Sequence, residues 1–237
     1  MGRGEATEGI EALASVGRET VQDRVYGQLR ESLIHGAFDA GEAFPVAEVA
    51  QRLGVSSMPV REALARLVSE RALETTPGRR VRVPLLTRAR ARDLAHARAL
   101  IEGDLARGAL PRLTGEDLAR LEALTRDYEA AKDLRTLARL NHAFHFGIYA
   151  RAGSTVLLPV VESLWMQAGP YVRAAARLHS PLTDPAATLH HRGLLAAIRA
   201  NDAGAMRDEL GADVSRTFAI LERAGAAVWN EAKGAAA

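Results

Sequence analysis

Four polar side chains fall on helical stripes that are otherwise apolar. At about 100° per residue, Asn141 and His145 share one face with Leu134, Leu137 and Ile148. His191 lies with Leu194, Leu195 and Ile198, and Asp213 with Met206, Leu210, Thr217 and Leu221. Two imidazoles, a carboxylate and an amide therefore point inward from three predicted helices. Leaving them unpaired in a core is costly, and convergence on one divalent metal ion would satisfy them together. Zn, Ni, Mn and Fe all suit such a donor set. Each residue also has a plainer use: a hydrogen-bonded core histidine or asparagine, or an aspartate that caps a helix or pairs with an arginine. His142 and His190 point off these stripes and are expected in solvent.

Arg98 sits on a stripe with Leu94, Ile101 and Leu105. A buried guanidinium needs an anion. That anion is either an internal carboxylate, such as Glu102 or Asp213, or the carboxylate of a small effector molecule lying over the metal. Trp165, Met166 and Tyr171 fall on a later helix, as core residues or as part of such a pocket wall.

A second group of chemically useful residues lies between Val46 and Val83. A short apolar helix pattern (Val46, Val49, Ala50, Leu53) meets a turn at Gly54, and Ser56 stands at the N-cap of a second amphipathic helix (Val60, Leu64, Leu67, Val68). Two extended stretches follow, parted by Pro77-Gly78. Helix, tight turn, helix and hairpin make a winged helix-turn-helix. Ser56 and Ser57 at a helix start suit phosphate oxygens, and Arg61 can fork onto a phosphate or a guanine edge. Arg79 and Arg80 occupy the hairpin tip. From Arg52 to Arg82, seven arginines (Arg52, Arg61, Arg66, Arg71, Arg79, Arg80, Arg82) face three glutamates (Glu62, Glu70, Glu74), a local excess of +4. The net charge of the whole chain is only +2, so the basic footprint expected of a double-stranded DNA contact is local. A helical hairpin with solvated arginines is the plainer alternative.

These groups need two domains to hold them. Beyond Pro84 only helical periodicity is visible, with candidate helices at Arg88–Ala109, Gly115–Lys132, Leu134–Ala152, Thr155–Leu178, Pro185–Ala200 and Ala203–Val228. Gly153, Pro181, Pro185, Asn201 and Asp202 punctuate them. The expected fold is mainly α: a winged helix-turn-helix over 20–86, then an all-helical antiparallel bundle over 87–228. Residues 1–19 and 229–237 read as tails. No Gly-rich phosphate loop, βαβ alternation or fixed-period repeat is present. The 237 residues carry no cysteine, so disulfides and thiolate ligands are excluded. No signal peptide or membrane-length apolar run is visible, and a cytoplasmic location is expected.

The run LGVSSMPVREALARL resembles the DNA-reading segment of the GntR family of bacterial transcription regulators, and VYGQLRESLIHGAFDAGEAF is similar to that family's first helix and its exit. The resemblance covers about residues 20–86. It implies a homodimer on a short palindromic operator, acting as repressor or activator. Many relatives carry arginine where Ser57 and Ala47 stand, so the base preference is expected to differ, while Arg61 is retained. RALIE, NHAFH and HHRGLLAAIRANDAGAM resemble segments of the FCD ligand-binding domain of the FadR subfamily, over about 88–225. Many such domains hold a divalent metal with an Asp, a His four residues later and two further His, and bind small organic acids there. Here Asn141 stands at the Asp position, His145 and His191 match, and Asp213 stands at the last His position. The carboxylate has changed corners with the ligand charge unchanged, which reads either as compensation or as a site going out of use. The expected protein is a DNA-binding regulator with a small-acid effector. The alternative is a helical metalloenzyme using its winged helix for assembly.

Overall fold

The computed structural model describes residues 20–230, so the tail expected over 1–19 and residues 231–237 of the other tail lie outside the described residues. The first part is α1 (Val21–Ile34), α2 (Val46–Leu53), α3 (Ser57–Ser69), β1 (Glu74–Thr75) and β2 (Val81–Arg82). Thr20 starts α1 through a capping box with Asp23, each satisfying the other's backbone N–H. Gly54 ends α2 at φ 65°, a left-handed turn that suits glycine and sends the chain straight into α3. The strands pair antiparallel, Glu74 opposite Arg82 and Thr75 opposite Val81, with Ala43 bridging Arg82 on the other side. Val60, Leu64 and Leu67 of α3 are buried against Val25, Leu29 and Leu33 of α1.

The second part is helical, as the periodicity requires: α4 (Arg88–Ala109), α5 (Gly115–Ala130), α6 (Leu134–Tyr149), α7 (Leu157–Leu178), α8 (Leu189–Ala200) and α9 (Ala203–Arg223). Side-chain caps set four of these starts: Thr87, Thr114, Asp133 and Asp202 each accept a first-turn N–H. Five boundaries move inward: α5 ends at Ala130 rather than Lys132, α6 ends at Tyr149 rather than Ala152, α7 begins at Leu157 rather than Thr155, and α8 and α9 shorten further. Helix α8 begins at Leu189 rather than Pro185, because residues 181–188 form turns in which Asp184 is bonded to Arg216 and His179, and Thr188 to Glu129. Helix α9 ends at Arg223, and a 3-10 turn carries the chain to Val228. The packed part also extends past residue 228. Trp229 is buried, Arg88 lies over its ring, and the Asn230 N–H donates to the Leu86 carbonyl at 2.7 Å.

The two parts share a continuous core in which α1 lies against α7. Contact is closest at Gly169, where a Cβ would stand 1.9 Å from the Leu33 carbonyl oxygen. Only glycine permits that approach. Polar contacts flank it. Arg30 pairs with Glu162 at 2.7 Å, Ser163 Oγ donates to the Glu70 carbonyl at 3.2 Å, and Arg90 donates to the Arg71 carbonyl at 2.8 Å. The last carbonyls of the α3 segment are thus tied to the bundle.

Candidate DNA-reading surface and metal centre

The N-terminus of α3 is open. Ser56 holds the N-cap position with extended backbone, and its side chain makes no cap hydrogen bond, so the first helical N–H groups face outward. Ser56, Ser57 and Arg61 are exposed, as are Arg52 at the end of α2 and Arg79 and Arg80 at the hairpin tip. Met58, which sequence reasoning passed over, is 62% exposed in the first turn of α3. An apolar side chain there suits a thymine methyl group. Its place three residues before Arg61 was the available signal.

Arg66 is already engaged by neighbouring side chains. Its guanidinium lies 3.7 Å from the Tyr26 ring centroid and 3.2 Å from Glu70, whose carboxylate also accepts from the Tyr26 hydroxyl. It braces α3 against α1, with half of its side chain still exposed. Arg82 likewise pairs with Glu74 at 2.7 Å.

In the bundle, α6, α8 and α9 bring together the residues that shared apolar stripes. His145, His191 and Asp213 each offer a ligand atom within 4.8 Å of the others. Asn141 joins them, its Oδ1 3.0 Å from His191 Nε2. His145 and His191 are buried, and Asp213 keeps a fifth of its side chain exposed toward a cavity. Phe144 stacks on His191 with centroids 4.1 Å apart. Burial pushes the His191 imidazole down to about 4, so it is a neutral donor at neutral pH. Burial alone would raise the Asp213 carboxyl. The His145 contact, then the charges of His191 and His190, outweigh it and hold that group at about 2.

Arg98 has found its anion within the protein. Its Nε donates to Glu102 Oε1 at 2.6 Å, and both side chains are buried. The guanidinium also lies 4.7 Å from the Trp165 ring centroid and lines a small chamber with Asn141, Trp165 and Asp213. Trp165 therefore belongs to the chamber wall, whereas Met166 and Tyr171 are core residues. Glu102 was weighed only as a partner for Arg98, and Tyr149 was not singled out. Yet Tyr149 links the two groups. Its hydroxyl donates to Glu102 Oε2 at 2.6 Å and lies 3.2 Å from His145 Nδ1. Sequence spacing carried the signal, since Tyr149 follows His145 by one helical turn.

This relay tests whether the residues fit a metal. The Tyr149 proton is committed to Glu102, so its oxygen accepts from His145 Nδ1–H. His145 Nε2 then stands 3.1 Å from Asp213 Oδ2. A proton or a cation between the two atoms satisfies both. The donor set therefore fits a divalent ion held by His145, His191 and Asp213, with Asn141 Oδ1 as a neutral fourth ligand.

Two expectations about neighbouring histidines fail. His142 is not solvated. It stacks on Phe146 at 4.1 Å, and burial drives it down to about 4. His190 pairs with Glu209, Nδ1 to Oε2, at 2.9 Å. Both lie beside the site-bearing faces, where neighbouring helices cover more of the surface than one helix's periodicity indicates.

An open helix N-terminus with a basic wing, joined to a helical bundle, decides the family once known proteins are compared. Residues 21–83 match the bacterial regulatory proteins of the gntR family, and residues 93–216 match the FCD domain. The chain belongs to the GntR family. It is 30% identical over 201 residues to the HTH-type transcriptional regulator McbR of Escherichia coli K12, covering 84% of this chain and 91% of that protein. The solved structure of E. coli McbR/YncC superposes with a TM-score of 0.78 at 29% identity, covering 86% of this chain and 98% of that one. A GntR-family regulator from Pseudomonas syringae pv. tomato DC3000 gives 0.52 at 26% identity, covering 86% and 85%. This GntR protein is thus a transcription regulator with an FCD effector-binding domain, and the metalloenzyme alternative is set aside. No helix among the described residues is long and apolar enough to cross a membrane.

Proposed function

We propose that this regulator binds a short palindromic operator as a homodimer and responds to a small carboxylate at a divalent-metal site in its bundle. The observation that carries the effector half is the convergence of His145, His191 and Asp213, whose ligand atoms lie within 4.8 Å of one another with Asn141 Oδ1 3.0 Å from His191 Nε2. Exchange of the carboxylate from position 141 to position 213 is compensated in this reading: the charge of the ligand set is kept and its four donors still converge. Arg98 contributes by position. It holds Glu102, which through Tyr149 orients His145, and it presents positive charge to an acid in the chamber. In the DNA half, Ser56, Ser57, Arg52 and the wing arginines meet the backbone, and Arg61 reads a base edge.

The DNA half is tested by mobility shift on the region around the gene itself. Arg61→Ala is expected to cost roughly 1–3 kcal/mol of specific binding, and Arg79→Ala to weaken all sequences alike and lower the salt slope. Unchanged operator affinity in a folded Arg61→Ala protein would sink the docking. The metal half is tested by elemental analysis after reconstitution. Parent and Asp213→His are expected to hold up to one ion per chain, and His145→Ala and His191→Ala none. A parent protein that takes up no ion and is stabilised by none marks the site as vestigial.

A further inference from the structure

The corner formed by Asn141 and Asp213 opens into a cavity of about 510 Å³ whose wall crosses the boundary between the two parts of the molecule. It borders α6 from Leu134 to Asn141 and α9 from Asp213 to Ile220. Each stretch spans two helical turns, or roughly 10 Å at the helical rise. That is more room than an acid of a few carbons needs. Between its polar groups the wall is apolar, with Leu137, Ala138, Val172 and Ala176.

The DNA-reading part supplies Glu31, His35 and Gly36 to the same wall, and α7 supplies Arg173 and Arg177. Those two arginines clamp the two parts together. Arg173 donates to Asp39 Oδ1 at 2.8 Å and to the Gly36 carbonyl at 3.1 Å, while Arg177 meets Asp39 at 2.7 and 3.0 Å. Asp39 lies in the segment between α1 and α2. The clamp is wet: side-chain exposure is 43% for Asp39, 32% for Arg173 and 57% for Arg177. Exposed ion pairs hold weakly, so an anion delivered from inside the cavity competes with Asp39 on good terms.

We propose that the cavity takes a dicarboxylic acid with an apolar spacer. One carboxylate lies at the Asn141–Asp213 corner, and the other displaces Asp39 from Arg173 and Arg177. Ligand binding then unfastens the DNA-reading part from α7, because the same two guanidinium groups cannot fully serve both anions. This goes beyond the acid-binding reading above but rests on it for the first carboxylate. Coupling follows from the shared arginines. Whatever anion weakens the clamp must in turn bind more tightly when the clamp is already broken.

The test is calorimetric titration of the zinc-reconstituted full chain with succinate, adipate and suberate, and with hexanoate and octanoate as single-ended controls. Parent protein, Asp39→Asn and Arg173→Met are compared after circular dichroism shows each folded. Adipate or suberate should bind at least tenfold more tightly than its single-ended counterpart. Asp39→Asn should tighten the dicarboxylates several-fold and leave octanoate unchanged, while Arg173→Met should erase the preference for two ends. Saturating suberate should speed amide exchange over residues 35–42 in the parent. Equal affinity for octanoate and suberate, indifference to Asp39→Asn, or no binding of any of these acids overturns the proposal. The first two outcomes leave metal-dependent acid binding and operator recognition standing. Loss of operator binding in the ligand-free parent would instead refute the regulator reading without touching the clamp.

Discussion

Tyr149→Phe isolates the relay behind the candidate metal centre. The change keeps the ring and its packing and removes one oxygen. In the parent that oxygen gives its proton to Glu102 at 2.6 Å and receives one from His145 at 3.2 Å, with all three side chains buried. The first bond is charge-assisted and its loss leaves a buried carboxylate short of a partner; the second is a longer, neutral bond. Together they are worth roughly 2–4 kcal/mol, or about 4–16 °C in melting temperature for a chain of this size. Glu102 keeps Arg98, so the cost stays below that of an isolated buried charge. Zinc affinity, measured by competition with a chromophoric chelator, is expected to fall about 10–100-fold, the usual effect of removing a partner that orients a histidine ligand. The stability arm is read on the chelator-stripped protein by urea unfolding, so the two effects are separable. A loss below about 1 kcal/mol would show that the relay is not the strong pair its distances indicate. Full stability loss with parental zinc affinity would make Tyr149 a core residue and refute its role in presenting His145 Nε2.

Three further outcomes follow from the geometry. Gly169→Ala places a Cβ 1.9 Å from the Leu33 carbonyl. It should therefore cost roughly 1–3 kcal/mol, or more if α1 cannot move, and calorimetry should show a lower or split transition; an unchanged transition would mean that α1 and α7 separate freely. Arg66→Ala should change operator affinity far less than Arg61→Ala, because Arg66 is engaged by Tyr26 and Glu70; equal losses in the two variants would put Arg66 back at the DNA. Burial lowers both His142 and His191 from 6.5 to about 4. The unfolded chain therefore binds more protons between those values, and stability must fall as pH drops from 6.5 toward 4. His142→Phe should flatten that slope in urea midpoints taken at pH 7, 6 and 5, and a slope identical to the parent's would show that His142 titrates normally.

Much of this protein is legible in one dimension because the relevant physics is local. Helix periodicity, capping residues and the turn at Gly54 depend on neighbours within a few positions, so α2, α3 and α4 fall where the sequence places them. The same periodicity put Asn141, His145, His191 and Asp213 on inward faces, and inward faces of antiparallel helices must meet. The winged helix and its exposed Ser56, Ser57 and Arg61 needed only the residue order from Val46 to Val83. Tertiary structure decided which partners those faces met. Arg98 had two anions open to it in sequence; Glu102 stands one turn along the same helix, and the packing of α4 against α6 set Tyr149 behind it. His142 and His190 looked solvated on their own helices, but the helices beside them removed that water or offered a carboxylate. Arg66 counted toward a basic footprint, and only the fold showed that α1 brings Tyr26 beneath it. The cavity shared by α1, α6, α7 and α9, and the clamp of Arg173 and Arg177 on Asp39, join residues more than a hundred positions apart. No local rule reaches that far, because contact across such a span is set by how whole helices stack and not by the spacing along any one of them.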